Sequence, residues 1–212
     1  MMFYSKELRS SMVRSLVLST IAIGSSLALL SSPTLAQSQS KPKPKPTSPW
    51  AVQKTSTWKT FVAQQGRFSI LMPDKPKLSS APLSFEKLGK STIWAIEGTD
   101  LAAPRTMYGV AYLDFPNLDV GHDPELLQLA LEGGTDSYLR NQSVTLIGRS
   151  KFSLNGFPGQ EIKFRHRSNA KYTGRLRAFL VDKRLYMIMV TTDQEAKHKQ
   201  KIDRFLQSFK LL

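Results

Sequence analysis

The sequence predicts an α+β domain with a central antiparallel β-sheet flanked by helices, an α/β/α sandwich. Three observations lead to this fold class. Asn155-Gly156, the strongest short-range hairpin signal, joins two segments with strand character. Residues 184–191 are apolar on both faces, as expected of a central strand that is covered on both sides. Two amphipathic helical patterns, one before and one after this group of strands, supply the covering layers.

Residues 1–36 are typical of a secretory signal peptide. Three basic residues precede an apolar run over residues 16–30, and Thr34-Leu-Ala36 places small residues at positions −3 and −1 before Gln37. The apolar run is shorter than the roughly 20 residues that a spanning helix needs. An uncleaved membrane anchor is the alternative interpretation. The signal peptide predicts export, to a periplasm or a thylakoid lumen.

Residues 37–57 form a Lys/Pro-rich linker that contains the sequence Lys-Pro-Lys-Pro-Lys-Pro. Alternating proline favours an extended polyproline II conformation, and the repeated lysines repel one another. The folded domain is expected to cover residues 58–212.

Three strand regions are predicted in the first part of the domain. Residues 66–73 alternate between apolar and polar side chains and end before Pro76. Residues 83–88 and 92–98 form a hairpin around Gly89-Lys90, and residues 107–115 form a further strand.

The first helix is expected to begin at Asp123-Pro124-Glu125, which offers a cap, a proline at the first helical position and an acidic first turn. Gly133-Gly134 interrupts its pattern, and each glycine weakens a helix by roughly 1 kcal/mol relative to alanine. We therefore expect a kink, a break or a close backbone contact at this pair.

Residues 152–192 read as four consecutive antiparallel strands. In the second strand, residues 160–167, a period of two places Ile162, Phe164 and His166 on one face and charged residues on the other. Residues 174–181 form the third strand, and a tight turn at Asp182-Lys183 leads into the fourth.

The last helix is expected to open with a capping box over residues 192–195. Ile202, Phe205, Leu206 and Phe209 form a stripe with helical spacing that is expected to lie on the sheet. Its outer face is rich in lysine, which is usually a solvated face.

The chain resembles the Mog1/PsbP-like superfamily, which includes the extrinsic photosystem II protein PsbP and exported bacterial domains of the DcrB type. The resemblance covers about residues 58–212 and is carried by four groups of residues: Phe68-Ser-Ile70-Leu-Met72-Pro73; Tyr108-Gly-Val-Ala-Tyr112 with Asp114-Phe-Pro116; Leu154-Asn-Gly-Phe-Pro-Gly159; and Arg184-Leu-Tyr186 with Phe205-Leu206-Gln-Ser208-Phe209-Lys-Leu211. It implies a central antiparallel sheet with helices on both sides. For exported members of phototrophs it implies the thylakoid lumen and contact with photosystem II.

Two departures from the family pattern stand out. Cyanobacterial PsbP homologues are typically lipoproteins, whereas this chain has no cysteine to carry a lipid. No metal-binding position of the family matches this sequence residue by residue, so none is carried over.

The composition sets limits on the chemistry. The chain has 212 residues, a formal net charge of +14 and no cysteine, which excludes disulfides, thiolate metal sites and cysteine nucleophiles. Residues 1–36 contain three basic residues and one acidic residue, so a net +12 falls on residues 37–212. A protein this basic is expected to bind anionic partners.

No catalytic, metal or cofactor site is predicted. His122, His166 and His198 lack metal-ligand spacing, and His166 is better explained as a hydrogen-bonded core or edge residue. Three aspartates gather near one loop, where caps and turns explain them better than a weak cation site: Asp114, Asp119 and Asp123. Nucleophile-elbow and phosphate-loop motifs are absent from the sequence, which leaves a hydrolase as the weakest hypothesis.

The one candidate site is a basic patch on two successive strands and the turn between them, made of Lys163, Arg165, Arg167, Lys171, Arg175 and Arg177. If the strands pair, these side chains share a face and are predicted to dock the acidic face of a membrane protein complex or an anionic membrane surface. A solvated face partly covered by Glu161 is the alternative. Export disfavours nucleic acid as the partner.

The predicted function is therefore that of a non-enzymatic accessory protein, PsbP-like and associated with photosystem II or its assembly. The alternative is an envelope domain that binds anionic lipid or a small molecule.

Overall fold

The structure is a computed structural model that describes residues 57–73, 75–85, 89–103, 105–119 and 124–212. The predicted signal peptide and nearly all of the linker lie outside the described residues. Ten strands and two helices are present in the described ranges. The strands are β1 Trp58–Ala63, β2 Phe68–Pro73, β3 Lys77–Phe85, β4 Gly89–Thr99, β5 Met107–Asp114, β6 Val144–Leu154, β7 Phe157–His166, β8 Thr173–Val181, β9 Arg184–Thr192 and β10 Lys210–Leu211; the helices are α1 Pro124–Asn141 and α2 Glu195–Gln207.

Seven strands form the main sheet, in the order β3-β4-β5-β9-β8-β7-β6. Every neighbouring pair runs antiparallel. Strand β9 occupies the middle of this order, as its two apolar faces predict. A second, three-stranded sheet has the order β1-β2-β10.

Each face of the main sheet carries its own hydrophobic core. Leu185 and Met187 of β9 pack into a core shared with α1, whereas Tyr186 and Ile188 pack into a core shared with α2 and the three-stranded sheet. The fold is therefore rich in antiparallel β-structure with few helices. The predicted α/β/α sandwich is confirmed only in part: the central antiparallel sheet is present, but strands share the layer on its second face with α2.

The predicted tight turns are confirmed by backbone geometry. Asn155 and Gly156 both have positive φ, at 52° and 86°, as a two-residue hairpin loop of type I′ requires. Asp182 also has a positive φ, of 53°, in the turn between β8 and β9. These local signals explain why β6 to β9 follow one another as consecutive hairpins.

Helix α1 runs without interruption through Gly133-Gly134. Of the three outcomes that the glycine pair predicts, the structure shows the close contact: a Cβ added at Gly134 would lie 3.3 Å from Cδ2 of Leu185. The glycine therefore lets α1 lie close to β9.

The beginning of α2 differs from the predicted capping box. Gln194 is the N-cap and makes no side-chain capping bond. The hydroxyl of Thr192 accepts a hydrogen bond from the backbone N–H of Gln194, and Glu195 accepts one from Thr173 Oγ1 at 2.8 Å. The carboxylate that a capping box would use is thus bound to β8.

The apolar stripe of α2 is buried as predicted, except that the helix ends before its last member. Ile202, Phe205 and Leu206 are buried within the helix, whereas Phe209 follows its end at Gln207. Phe209 is nevertheless buried and stacks on Phe68 with 5.1 Å between the ring centroids.

Candidate anionic docking surface

Strands β7 and β8 pair as the predicted basic patch requires. Lys163 lies opposite Arg175, and Arg165 lies opposite Thr173. Since Ile162 and Phe164 point into the core beneath α1, the charged side chains that alternate with them lie on the other face of the sheet. This is the face that α2 partly covers.

Arg175 and Arg177 are bound within the domain. Arg175 donates to Glu161 at 3.0 Å and to Asp203 of α2 at 2.6 Å. Arg177 donates to the other oxygen of Glu161 at 2.6 Å and to the carbonyl of Leu206 at 3.1 Å. The side chains of Arg175 and Arg177 are only 13% and 20% exposed. Both arginines therefore fasten α2 to the sheet.

Glu161 is the centre of this network. Burial raises the pKa of its carboxyl, but hydrogen bonds and charge from Arg177 and Arg175 outweigh the burial and hold the pKa below its ordinary value. The carboxylate is therefore ionised at neutral pH and compensates the positive charges of Arg175 and Arg177 in β8.

Four of the six predicted residues remain exposed: Lys163, Arg165, Arg167 and Lys171. Within the part of the chain that the structure describes, no carboxylate lies within ion-pair distance of any of them. Arg167 donates through Nε to the carbonyl of Val144 at 3.2 Å, which places it beside the beginning of β6. We call these four residues the exposed basic cluster.

The edge strand β6 carries a feature that the sequence reasoning missed. Leu146 and Ile147 are 46% and 56% exposed, and the pairing register with β7 shifts between Leu146 and Gly148. The bulge interrupts the two-residue alternation of apolar and polar side chains, so the sequence indicates only residues 152–154 of this strand. Two consecutive aliphatic residues before a glycine, Leu146-Ile147-Gly148, are the signal that could have indicated it.

A second polar cluster joins the β4–β5 loop to α2. Asp100 is fully buried and accepts hydrogen bonds from Lys201 Nζ at 2.8 Å and from the backbone N–H of Ala102 at 2.8 Å. Nearby, the Thr106 and Thr192 hydroxyls are 2.8 Å apart. Burial lowers the pKa of His198. The nearby charges of Lys197 and Lys201 lower this pKa further, whereas those of Asp100 and Asp193 raise it. These contacts serve the attachment of the helix.

Those residues considered for metal binding that lie in the described ranges do not form a metal-binding group. Asp114 forms a two-pronged pair with Arg184, with N–O distances of 2.6 and 2.7 Å, and Asp123 lies outside the described residues. In the described ranges, no three His, Asp or Glu side chains are grouped as a metal site would require. His166 is half-buried between the rings of Phe164 and Tyr172, and burial lowers its pKa.

Two concavities among the described residues differ in size and openness. A cavity of about 10 Å³, enough for about one water molecule, lies between α1 and the sheet beside Glu97 and Tyr138. An open groove of about 620 Å³ lies between the three-stranded sheet and α2, with Arg204 and Lys210 among its lining residues. Neither helix in the described part of the chain is both long and apolar enough to cross a bilayer.

Comparisons with known proteins give structural similarities only. No protein-family model matches the chain, and no curated protein matches it. The solution structure of cyanobacterial PsbP (CyanoP) from Synechocystis sp. PCC 6803 is similar at 13% identity and a TM-score of 0.46, covering 78% of this chain and 98% of that one. A protein of unknown function from Pseudomonas aeruginosa, PA94, a putative regulator, is similar at 9% identity and a TM-score of 0.36, covering 71% and 94%.

Proposed function

We propose that the protein is an exported, non-catalytic accessory protein that docks on an anionic site at a lumenal or periplasmic membrane surface. The observation that carries the proposal is the exposed basic cluster, four cations on one hairpin without a carboxylate partner among the described residues. Such a cluster raises the local concentration of anionic partners and accelerates their association.

The distribution of charge supports a binding role for this end of the sheet. Between residues 143 and 171 the chain has six basic residues and one acidic residue, Glu161. Because Arg175 and Arg177 already occupy the Glu161 carboxylate, it does not neutralise the exposed basic cluster. The exposed charges are therefore available to attract an anion from outside the domain.

The sequence motifs that resemble the PsbP family suggest which membrane complex is served. We propose photosystem II at the lumenal face of the thylakoid membrane, with the protein bound to the assembled complex or assisting its assembly.

A second candidate function is that of a peripheral envelope domain that binds a small anionic molecule and has no photosynthetic role. The groove of about 620 Å³ favours it, because its volume falls in the range of small-molecule sites and Arg204 and Lys210 line it. Asp203 also lines the groove, but its carboxylate is paired with Arg175 and Lys199.

A charge-matched pair of variants tests the docking proposal. Lys163→Gln/Arg165→Gln removes two members of the exposed basic cluster. Lys77→Gln/Lys90→Gln removes two exposed lysines on β3 and β4, the two strands at the opposite side of the sheet. In co-sedimentation with native membranes, the first variant is expected to bind more weakly and the second like the unchanged protein. Binding of the unchanged protein should also fall as salt shortens the Debye length from about 10 Å at 0.1 M to about 3 Å at 1 M.

The result that would overturn the proposal is equal weakening by both variants, since net charge alone would then explain the association. A pull-down from solubilised membranes, read by mass spectrometry, identifies the partner. Photosystem subunits support the first function, and their absence together with binding of a small anion to the groove supports the second.

A further inference from the structure

The bulge in β6 turns an apolar side chain away from the domain. Leu146 pairs with Phe164 and Gly148 pairs with Lys163, so Ile147 is the extra residue between them. Among the described residues, strand β6 lies at the edge of the sheet and has β7 as its one strand neighbour. A bulge bends an edge strand and turns its extra residue out of the ladder, in agreement with the 56% exposure of Ile147.

Leu146 and Ile147 differ from the other exposed apolar residues of the described ranges. Val62, Leu78, Leu101 and Leu212 are separated from one another in the sequence, whereas Leu146 and Ile147 are consecutive. Single exposed aliphatic side chains are normal, but a pair on an unpaired strand edge exposes the protein to aggregation unless something covers it.

The exposed basic cluster borders this apolar pair. Arg165 pairs with Thr145 and Lys163 pairs with Gly148, the residues on either side of Leu146 and Ile147, and Arg167 is hydrogen-bonded to the carbonyl of Val144. Leu146 itself pairs with Phe164, so its side chain lies on the α1 face of the sheet, and Lys163 and Arg165 lie on the other face. Arg149, on the other side of the bulge, is held by an ion pair with Asp136 of α1 and does not join the cluster. Along the edge of the sheet, the two exposed aliphatic residues therefore lie between positions that pair with long, exposed cationic residues.

This combination fits the interfacial region of an anionic bilayer. Aliphatic side chains enter the boundary with the acyl chains, while lysine and arginine reach back to the phosphates of the headgroups. Each basic residue near an anionic membrane surface strengthens binding about fivefold. Energetic centres of protein interfaces are instead enriched in tryptophan, tyrosine and arginine, and leucine is under-represented there.

We infer that Leu146 and Ile147 insert into the headgroup region of an anionic bilayer while the exposed basic cluster binds the lipid phosphates. The inference rests on the proposed function and specifies it, since it makes lipid the partner of this surface. It also orients the domain, with the bulged edge of the main sheet toward the membrane and the opposite edge, β3, away from it.

The absence of cysteine from the sequence makes a direct test possible. Ile147→Cys, labelled with an environment-sensitive fluorophore, reports the polarity at the bulge in the otherwise unchanged exported protein. Leu78→Cys provides the matched control, because Leu78 is 63% exposed on the opposite edge strand. The probes are protein-free vesicles of phosphatidylcholine, either alone or mixed with an equal amount of phosphatidylglycerol. We expect a blue shift only for the label at residue 147 and only with the anionic vesicles.

Substitution provides the second measurement. Ile147→Ser is expected to weaken binding to the anionic vesicles about tenfold, the effect of losing one buried aliphatic side chain, and Leu78→Ser should leave binding unchanged. Both replacements are at exposed positions, so both proteins should fold.

The outcomes separate the inference from the proposed function. If the protein binds native membranes in a salt-sensitive way but the label at residue 147 does not respond to anionic vesicles, the inference is wrong and the docking partner is a protein. Equal responses of the labels at residues 147 and 78 also overturn the inference. If neither membranes nor vesicles bind, both proposals fail.

Discussion

Asp203 of α2 lies 2.6 Å from the guanidinium of Arg175 in β8, and this contact joins the C-terminal helix to the main sheet. Arg175 also contacts Glu161 in the neighbouring strand, so one side chain connects three elements. A residue that the sequence presents as one more surface cation therefore has a structural role. Arg175 and Arg177 thus differ from the other four residues of the predicted patch.

Arg175→Gln is expected to lower the free energy of unfolding by about 1–3 kcal/mol, because it removes charge-assisted hydrogen bonds to two poorly exposed carboxylates. Chemical denaturation measures the change. Lys163→Gln, at the directly opposite position in β7, is the control and should remain within about 0.5 kcal/mol of the unchanged protein. Equal effects of the two substitutions would contradict the structural role of Arg175.

Gly174→Ala should destabilise the domain by about 1–3 kcal/mol through overpacking. An added Cβ at Gly174 would lie 2.2 Å from Cζ of Phe164, whose ring is fully buried and cannot easily move aside. Gly148→Ala is the matched control, because nothing lies within 4 Å of an added Cβ at that position. If thermal unfolding shows no difference between the two variants, the packing of Phe164 against β8 is wrong.

The stability of the domain should fall as the pH drops below about 6.5, the ordinary pKa of histidine. Burial lowers the pKa of His198 in the folded protein, so the unfolded chain binds the proton more readily and acidification favours unfolding. The stability that neutral His198 contributes is fully present above pH 6.5 and is lost as the pH falls through the lowered pKa of the folded protein.

His198→Gln tests this pH dependence, and His166→Gln tests the share of the second histidine, whose pKa burial also lowers. Denaturation midpoints between pH 7.5 and 5.5 should change less in each variant than in the unchanged protein. Glu161 does not titrate in this pH range. Because its pKa is lowered, the stability that its carboxylate contributes is lost only at more acidic pH, below the ordinary carboxyl range. An unchanged slope in both variants would exclude histidine as the cause.

The protein isolated from its native cell is expected to begin at Gln37 or within a few residues of it. The basic, apolar and small-residue regions of residues 1–36 are the reason for this prediction. Mass spectrometry of the intact protein measures the N-terminus. Recovery of Met1 in a membrane-integral fraction would instead favour the uncleaved anchor and argue against a processed, peripheral domain.

Local signals in the sequence predict the hairpins from β6 to β9 well. Asn155-Gly156 fixes a two-residue loop, and the period of two assigns Ile162 and Phe164 to one core. Strand β9 is identified as central by its own composition. Each of these inferences depends on residues that are close in the sequence.

Strands without such signals were missed or shortened. The hairpin of β1 with β2 was overlooked, and β3 begins at Lys77 and includes Pro82, which an edge strand tolerates because one side of its backbone faces solvent. The bulge in β6 hides the first part of that strand. The capping box failed because Glu195 binds Thr173, a tertiary contact that the local pattern cannot show.

The basic patch was only partly predictable for the same reason. The sequence places Arg175 and Arg177 on one face with the other cations, and the register confirms that placement. It does not reveal that Asp203, 28 residues after Arg175, returns to pair with it. Which cations remain exposed is decided by the packing of α2.

The closing of the three-stranded sheet by β10 makes the second core depend on the last residues of the domain. Lys210 and Leu211 pair with Ser69 and Phe68, and Phe209 fills the core beside them. A chain that emerges with its N-terminal end first leaves one edge of β2 unpaired until these residues follow. Chains interrupted before them expose Phe68 and an open strand edge, which are features that proteases and chaperones recognise. The short final strand thereby makes completion of this sheet the last step in the assembly of the domain from its N-terminal to its C-terminal end.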